Sequence, residues 1–279
     1  MYTKGDFHLH TTASDGKFSP KELVAMAKKE NIDIMSITDH DTIHGIDEAV
    51  QEGKRLGIKV VPGIELSTLY REENVHILGY FNDTSKIGCE LKNYLKGMHE
   101  YRTYRGKKIV ENLDRIFNIK LNYEKILNDA EGIIARPHIA KAIISAGYKY
   151  PWDYIFTNFI GENSPAYVPN RKLDTKDGIK LLKKNNALVV LAHPVLIKNI
   201  DITEILNMPF DGIEAIYSMN SANDTKIFKT LSEKHNKIIT AGSDFHGITK
   251  EDSKHPLKIG QVSLDEKNIK IFLEKLKEV

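Results

Sequence analysis

The chain alternates between short apolar runs and longer stretches of helical spacing. Residues 33–38, 59–64, 75–80, 187–192, 211–216 and 237–242 are apolar runs of strand length, and the run at 187–192 has no polar member until His193. Such runs suit strands buried on both faces. A further strand opens the chain as Asp6-Phe7-His8-Leu9-His10. Between the strands, polar and apolar residues recur with helical spacing. Ser19-Pro20-Lys21-Glu22 predicts a capping box with Pro20 at the first helical position. That helix is expected to reach about residue 30, with Leu23, Met26 and Ala27 facing inward. A second helix is expected over residues 42–56, closed by Gly57.

The first 81 residues therefore read β-α-β-α-β-β. The pattern changes at about residue 85. Leu91, Leu95, Met98, Arg102, Arg105, Ile109, Leu113 and Ile116 follow one another at three to four residues, which predicts a long helix to about residue 118. Shorter helices are expected over 123–128 and 137–146, and residues 152–168 read as irregular. The βα alternation then resumes, with helices over 175–185, 222–235 and 265–277. Buried strands alternating with amphipathic helices predict an α/β fold with a parallel sheet and right-handed crossovers. About seven inner strands, most ending in a polar residue, favour a β/α barrel whose strand ends meet at one mouth. An open sheet would set the same residues along a line. The domain reading is a barrel of residues 1–84 and 169–279 with a helical cap inserted at 85–168.

The chain's 279 residues suit one large domain or one domain with an insertion. Its net charge of +2 is unevenly spread: residues 85–172 hold 15 Lys/Arg against 9 Asp/Glu, and the remainder 25 against 29. A basic surface facing an anionic partner is one consequence, and a solvated helical face is the plainer one. Cys89 is the single cysteine, which excludes a disulfide framework and a thiolate zinc site and fits a reducing compartment. No signal peptide and no apolar run of membrane-spanning length are seen, so a cytoplasmic protein with no membrane partner and no obligate protein partner is expected.

His8, His10, Asp15, His40, Glu65, His76, His193, Asp244 and His246 all fall at or just past the ends of the expected strands. Alternate residues share one face of a strand, so His8 and His10 point the same way. These nine include six of the chain's eleven histidines; His99, His235 and His255 fall outside the pattern. Any one of them alone reads as a hydrogen-bonded structural residue. Together they exceed what one zinc or one octahedral ion takes from protein, and two or three close ions would use them. Glu65 is the natural bridge, because a carboxylate can span two ions, and Asp244 is a second close ligand. Three carboxylates against three divalent ions leave a surplus of roughly +3, which favours a phosphate dianion; such sites clamp attacking and leaving oxygens in phosphoryl transfer. No Ser-His-Asp order, Gly-x-Ser-x-Gly elbow or Walker-type loop points elsewhere.

Asp6-Phe7-His8-Leu9-His10, Ser14-Asp15-Gly16, Ile37-Thr38-Asp39-His40-Asp41-Thr42, Gly63-Ile64-Glu65, Val75-His76-Ile77-Leu78-Gly79-Tyr80, Leu191-Ala192-His193-Pro194 and Gly242-Ser243-Asp244-Phe245-His246 resemble, in order, the motifs of the PHP (polymerase and histidinol phosphatase) family. The resemblance implies a distorted seven-stranded β/α barrel with three divalent ions, manganese, iron or zinc. It implies His8, His10, Glu65 and Asp244 at one ion, serving catalysis through a metal-activated hydroxide. Glu65, His76 and His193 would hold a second ion, and Asp15, His40 and His246 a third. Ala135-Arg136-Pro137-His138-Ile139-Ala140 and Ala166-Tyr167-Val168-Pro169 are similar to segments of the TrpH-like branch. That branch is linked to phosphatase action on nucleoside 3′,5′-bisphosphates and to 5′-to-3′ exonuclease action on short RNA. Arg136 and His138 flank an expected helix start, itself an anion site, and are candidate substrate contacts together with Arg171 and Lys172. The competing expectations are a phosphatase of small metabolites such as histidinol phosphate, and a metal-binding module without catalysis. Glu214 is expected to support the site from behind, His44 to be solvated, and Tyr217 either to stack a base or to pack in the core.

Overall fold

The computed structural model describes residues 2–129, 134, 136–247 and 258–279. His255 lies outside the described residues. The chain divides into two compact units, Met1–Lys92 with Lys172–Val279, and Asn93–Arg171.

The first unit carries all nine strands: β1 (Lys4–Asp6), β2 (Ile34–Ile37), β3 (Lys59–Tyr70), β4 (Glu73–Phe81), β5 (Leu173–Asp174), β6 (Ala187–Leu191), β7 (Gly212–Tyr217), β8 (Ile238–Gly242) and β9 (Leu264–Asp265). The sheet order is β8-β7-β6-β4-β3-β2-β1-β9, with β5 beside β3. The two ends of this order are stitched together just past β1. Phe7 N–H donates to the Ala241 carbonyl (3.0 Å), Asp244 N–H to that of His8 (2.8 Å) and His10 N–H to that of Phe245 (3.1 Å). The sheet is thus a nearly closed barrel, as expected, and His8 and His10 lie on its closing seam.

The sheet is mixed rather than wholly parallel. β3 runs past Glu65 to Tyr70, turns at Arg71 and Glu72, and pairs antiparallel with β4, which pairs antiparallel with β6. Both turn residues have positive φ (47° and 68°), as a two-residue hairpin of matching twist requires. The pairing Ser67↔His76 and Glu65↔Leu78 makes Glu65 and His76 diagonal neighbours on one face.

Helices α1 (Pro20–Lys29) and α2 (Ile46–Leu56) cover β1 to β3 through Leu23, Val24, Ala27 and Ala49 against Met35, Ile37 and Val60. α1 starts with the Ser19/Glu22 capping box. α2 begins four residues later than its spacing suggested. The Thr42 hydroxyl accepts the His44 N–H (3.2 Å), and Asp41 has φ 51°, so the backbone is committed to a turn. His44 is exposed, as expected.

α3 (Cys89–Phe117), α4 (Tyr123–Asp129), α5 (Arg136–Ser145) and α6 (Trp152–Asn158) form the second unit, with α3 starting just before it. Ile109, Leu113, Ile126, Ile139, Ile143, Ile155 and Phe159 make its core. α6 occupies a stretch that read as irregular. Its first turn follows Pro151, and its three aromatic residues out of seven hid the helical period. α7 (Thr175–Lys184), α8 (Ile202–Leu206), α9 (Ala222–Lys234) and α10 (Glu266–Lys277) return to the first unit. No described helix is long and apolar enough to cross a membrane.

α10 supplies Phe272 to the barrel core, where its ring meets Phe7 (4.4 Å between centroids) and Tyr80 on β4 (5.1 Å). Only a curved sheet brings those strands to one side chain. Phe272→Ala should therefore destabilise the first unit by about 3–5 kcal/mol. Urea denaturation checks this, and a loss below about 1 kcal/mol would show that Phe272 is not a keystone of the barrel core.

Candidate metal centre

The mouth of the barrel is built on six strands, four contributing past their ends and two from within. His8 and His10 follow β1, His40 follows β2, Glu65 lies in β3 and His76 in β4, His193 follows β6, and Asp244 and His246 follow β8. Asp15 comes from the loop after His10. That loop is tied down by Asp39, which accepts from Thr11 N–H (2.7 Å), the Thr11 hydroxyl (2.7 Å) and the Ser14 hydroxyl (2.6 Å).

Glu65 is the centre of the arrangement and is fully buried. Its Oε2 lies 3.2 Å from His8 Nε2, 3.2 Å from His10 Nε2 and 3.1 Å from His40 Nδ1. Its Oε1 lies 2.8 Å from His76 Nδ1 and 2.9 Å from His193 Nε2. Asp244 Oδ1 is 3.0 Å from His10 Nε2 and 3.4 Å from His8 Nε2. Asp15 is exposed and stands 3.4 Å from His246 Nε2, 3.6 Å from His10 Nδ1 and 3.9 Å from His40 Nε2.

Three groups of mutually close donors result: His8, His10, Glu65 and Asp244; His10, Asp15, His40 and His246; and His40, Glu65 and His76. The first group is the one the family resemblance implied. In the second, His10 joins Asp15, His40 and His246. In the third, His40 stands with Glu65 and His76, while His193 meets Glu65 from outside it.

The donor chemistry fits divalent cations. His8 Nε2, His10 Nε2, His40 Nδ1 and Glu65 Oε2 are buried, lack a hydrogen-bond partner and converge on one another. Buried polar atoms left this way are costly in a folded protein. Two donors sharing an ion at about 2.1 Å lie about 3.0 Å apart at right angles and about 3.4 Å apart at tetrahedral angles, the spacing seen here. Manganese, iron and zinc all accept such nitrogen and oxygen donors.

Residues behind the donors set their orientation. Glu214 is fully buried; its Oε1 faces His8 Nδ1 at 3.0 Å, and its Oε2 accepts the His193 N–H at 2.7 Å. Holding the proton on Nδ1 leaves the His8 Nε2 lone pair toward Glu65. The His246 Nδ1 meets the Asp244 carbonyl (2.9 Å), leaving Nε2 toward Asp15. Tyr217 is buried, and its hydroxyl donates to Asp244 Oδ2 (2.8 Å), so Oδ1 is the oxygen turned to the histidines. Base stacking by Tyr217 is thereby excluded. His193 and Asp244 both adopt positive φ (24° and 55°), a strained backbone at two site residues. Gly242 leaves room for the pair behind the donors: a Cβ there would collide with the His8 Cβ and the Glu214 carboxylate.

The charges are strongly coupled. Burial opposes charging His8 and His10, yet Glu214, Glu65 and Asp244 push His8 well up, and Asp244 and Glu65 push His10 up to about 10. His76 is also raised against its burial, by Glu65. Burial lowers His40 to about 4, with His10 and His76 adding to the effect. Burial opposes ionisation of Glu65 and Asp244, but the surrounding histidines hold both well below the ordinary carboxylate range.

Arg136 opens α5 and lies with Arg105 at the Tyr167 ring, 6.0 and 5.6 Å from its centroid. His138 lines a cavity between α4 and α5. Arg171 stacks on Tyr101 (4.5 Å), and the Lys172 ammonium meets Asn74 Oδ1. Ala135 lies outside the described residues.

A nearly closed β/α barrel with overlapping histidine and carboxylate groups at its mouth that could hold metal ions defines the class of protein. The chain belongs to the PHP domain family, whose model matches residues 6–170. It is 29% identical over 251 residues to the 5′-3′ exoribonuclease Rnm of Salmonella typhimurium, covering 86% of this chain and 84% of that one. It is 26% identical over 250 residues to the 3′,5′-nucleoside bisphosphate phosphatase of Chromobacterium violaceum, covering 86% of each. A solved structure of a candidate metal-dependent phosphoesterase from Bifidobacterium adolescentis superposes with a TM-score of 0.79 at 27% identity, over 97% of this chain and 96% of that one.

Two outcomes are expected. Glu214→Gln should weaken divalent-metal affinity about 10- to 100-fold while the far-ultraviolet spectrum is kept; unchanged affinity in a chelator competition would remove Glu214 from the centre. Metal must also displace the protons that His8 and His10 hold at neutral pH, and the upward shift of His76 works in the same direction. Affinity should therefore rise from pH 6 to pH 9, with proton release seen by calorimetry in buffers of different ionisation enthalpy. A flat profile would contradict the raised histidines.

Proposed function

We propose that the protein is a metal-dependent phosphoesterase of nucleotides, removing phosphate from nucleoside 3′,5′-bisphosphates or trimming short 5′-phosphorylated RNA from its 5′ end. The observation that carries this reading is the sharing of Glu65 among five imidazoles, which provides adjoining donor groups rather than one isolated site. Two or three divalent ions held there would supply Lewis acidity at a phosphoryl group and lower the pKa of water to roughly 7.

The chain's own residues prepare that chemistry. Glu65 stays ionised although buried, because its imidazole neighbours favour the anion. Glu214 fixes the His8 ring, and Tyr217 occupies one Asp244 oxygen so that the other is presented. Asp15 is exposed at the rim. His8, His10, Glu65 and Asp244 are the proposed catalytic set, with Asp15, His40, His76, His193 and His246 completing the ligands of up to three ions.

Substrate choice is assigned to the helical segment. Arg105 is buried beside Arg136, and burial lowers its pKa, with Arg136 adding to the effect. Neither guanidinium has a carboxylate partner among the described residues. Two adjacent, uncompensated guanidinium groups suit a phosphate, which each can grip through two N–H groups. Arg136 is accordingly the preferred contact for a second phosphate, ahead of His138, Arg171 and Lys172. A cytoplasmic, reducing setting is part of the same proposal, and the free Cys89 agrees with it.

The test is phosphate release by manganese-loaded protein from adenosine 3′,5′-bisphosphate, 5′-AMP, histidinol phosphate and a short 5′-phosphorylated RNA. Preference for the bisphosphate or the RNA is expected, and preference for histidinol phosphate would overturn the nucleotide reading. Arg136→Ala should raise KM for the bisphosphate at least tenfold more than for 5′-AMP. An equal change on both would remove Arg136 from the second-phosphate role.

A further inference from the structure

The helical unit carries two features that the chemistry at the barrel mouth does not use. The first is a cavity of about 330 Å³ between α4 and α5. Its wall includes Leu121, Ile126 and Ala142, while Lys120, Lys125 and Lys141 also line it against one carboxylate, Asp129. Its size and mixed lining suit a ligand with an apolar ring and negative charge.

The second feature is an aromatic face. Tyr150, Trp152 and Tyr154 are 39%, 45% and 45% exposed, unusual for three large rings so close in sequence. Tyr150 and Tyr154 are stacked at 5.4 Å with an interplanar angle of 9°. Phe159, buried beneath, meets both edge-on at 4.8 and 5.6 Å and holds the pair in place. The two features adjoin through Tyr148. Its hydroxyl accepts the Lys120 N–H (2.9 Å), and its carbonyl accepts the Tyr150 N–H (3.1 Å).

The geometry points to a second binding site, on the helical unit, for single-stranded RNA: the lysine-lined cavity takes a phosphate and its nucleoside, and the Tyr150–Trp152–Tyr154 face stacks neighbouring bases. Pre-stacked rings beside ammonium groups are the two components that bind single strands without base preference. A protein surface would also cover exposed aromatics, but three lysines against one carboxylate favour a polyanion. The site deepens the nucleotide reading above and rests on it for the class of ligand. It would let the protein hold an oligonucleotide by nucleotides that are not being hydrolysed.

Trp152 is the chain's only tryptophan, so its fluorescence reports directly on this face. Full-length protein kept in chelator is titrated with 5′-phosphorylated oligouridylate of eight and of two nucleotides. The octamer should quench Trp152 and bind at least tenfold more tightly than the dimer, with affinity falling as salt rises. Tyr154→Ala and the double variant Lys120→Glu/Lys125→Glu should each weaken octamer binding at least fivefold, read by anisotropy of a labelled octamer. Manganese-loaded variants should hydrolyse adenosine 3′,5′-bisphosphate at the unmodified protein's rate.

Bisphosphate hydrolysis with no length-dependent binding would overturn this site and leave the phosphoesterase standing. Length-dependent binding lost in the variants, with no turnover of any phosphoester, would support the site and overturn the phosphoesterase. A fall in oligomeric state on Tyr154→Ala, with octamer binding intact, would make the face a contact between copies of the chain and overturn the proposal.

Discussion

A fully buried carboxylate is the constraint around which the first unit is organised. Among the described residues Glu65 has no lysine or arginine beside it; its charge is met by imidazoles from the ends of β1, β2 and β6 and from within β4. Breaking one partner of a buried ion pair costs about 3–5 kcal/mol, because the other charge stays out of water. The register of each contributing strand is therefore tied to this one oxygen pair. A slip of one residue in β3 would turn Glu65 to the opposite face and strand five histidines. Closure of the barrel follows from the same demand, since His8 and His10 reach Glu65 from the seam where β1 meets the end of β8.

Meeting that constraint puts strain on the backbone nearby. Non-glycine residues with positive φ occur at Asp41, His193 and Asp244, all on the loops that leave the barrel mouth. Each such residue costs on the order of 1–3 kcal/mol and persists only where its surroundings determine it. The surroundings are visible. The His193 N–H is fixed by Glu214, the Asp244 side chain by Tyr217, and an Asp41 oxygen accepts the Ser67 N–H at 2.8 Å. The second layer thus restrains both the side chains and the turns that aim them. A glycine at 242, with no Cβ to enter the space shared by His8 and Glu214, belongs to the same solution.

How much of this was legible depended on whether a residue's role was local. The strand at 187–192 and the capping box of α1 are written in consecutive residues, and both were readable. The histidines and acids at strand ends were readable because strand ends recur at regular intervals. The β3–β4 hairpin was not, because its turn is Arg71-Glu72, with neither glycine nor asparagine to mark the positive φ. The mixed sheet was missed with it. The pairing of donors into groups was also out of reach: whether His40 stands nearer Asp15 or Glu65 depends on how β2 and β3 lie side by side. Tyr217 was ambiguous for the same reason, since its hydroxyl partner is 27 residues away. The stacked Tyr150 and Tyr154 were hidden because aromatic residues usually signal a core, and only the fold shows which of their faces stays uncovered.

The two units answer to different physics. The barrel's functional residues work through low dielectric: carboxylates and imidazoles keep each other charged because water is excluded, and one-ångström errors matter there. The groups proposed to act on the helical unit are mostly exposed, and their attraction for an anion would be longer in range and weaker per contact. Arg105 and Arg136 are the exception, being close enough to repel and having no carboxylate partner among the described residues. That repulsion is an energetic cost in the free protein which an arriving phosphate would relieve, so the affinity for a dianion draws on destabilisation already present. A lone surface arginine has no such reserve. This asymmetry is why the pair, rather than the more numerous lysines, is the part of the helical unit proposed to tell two phosphates from one.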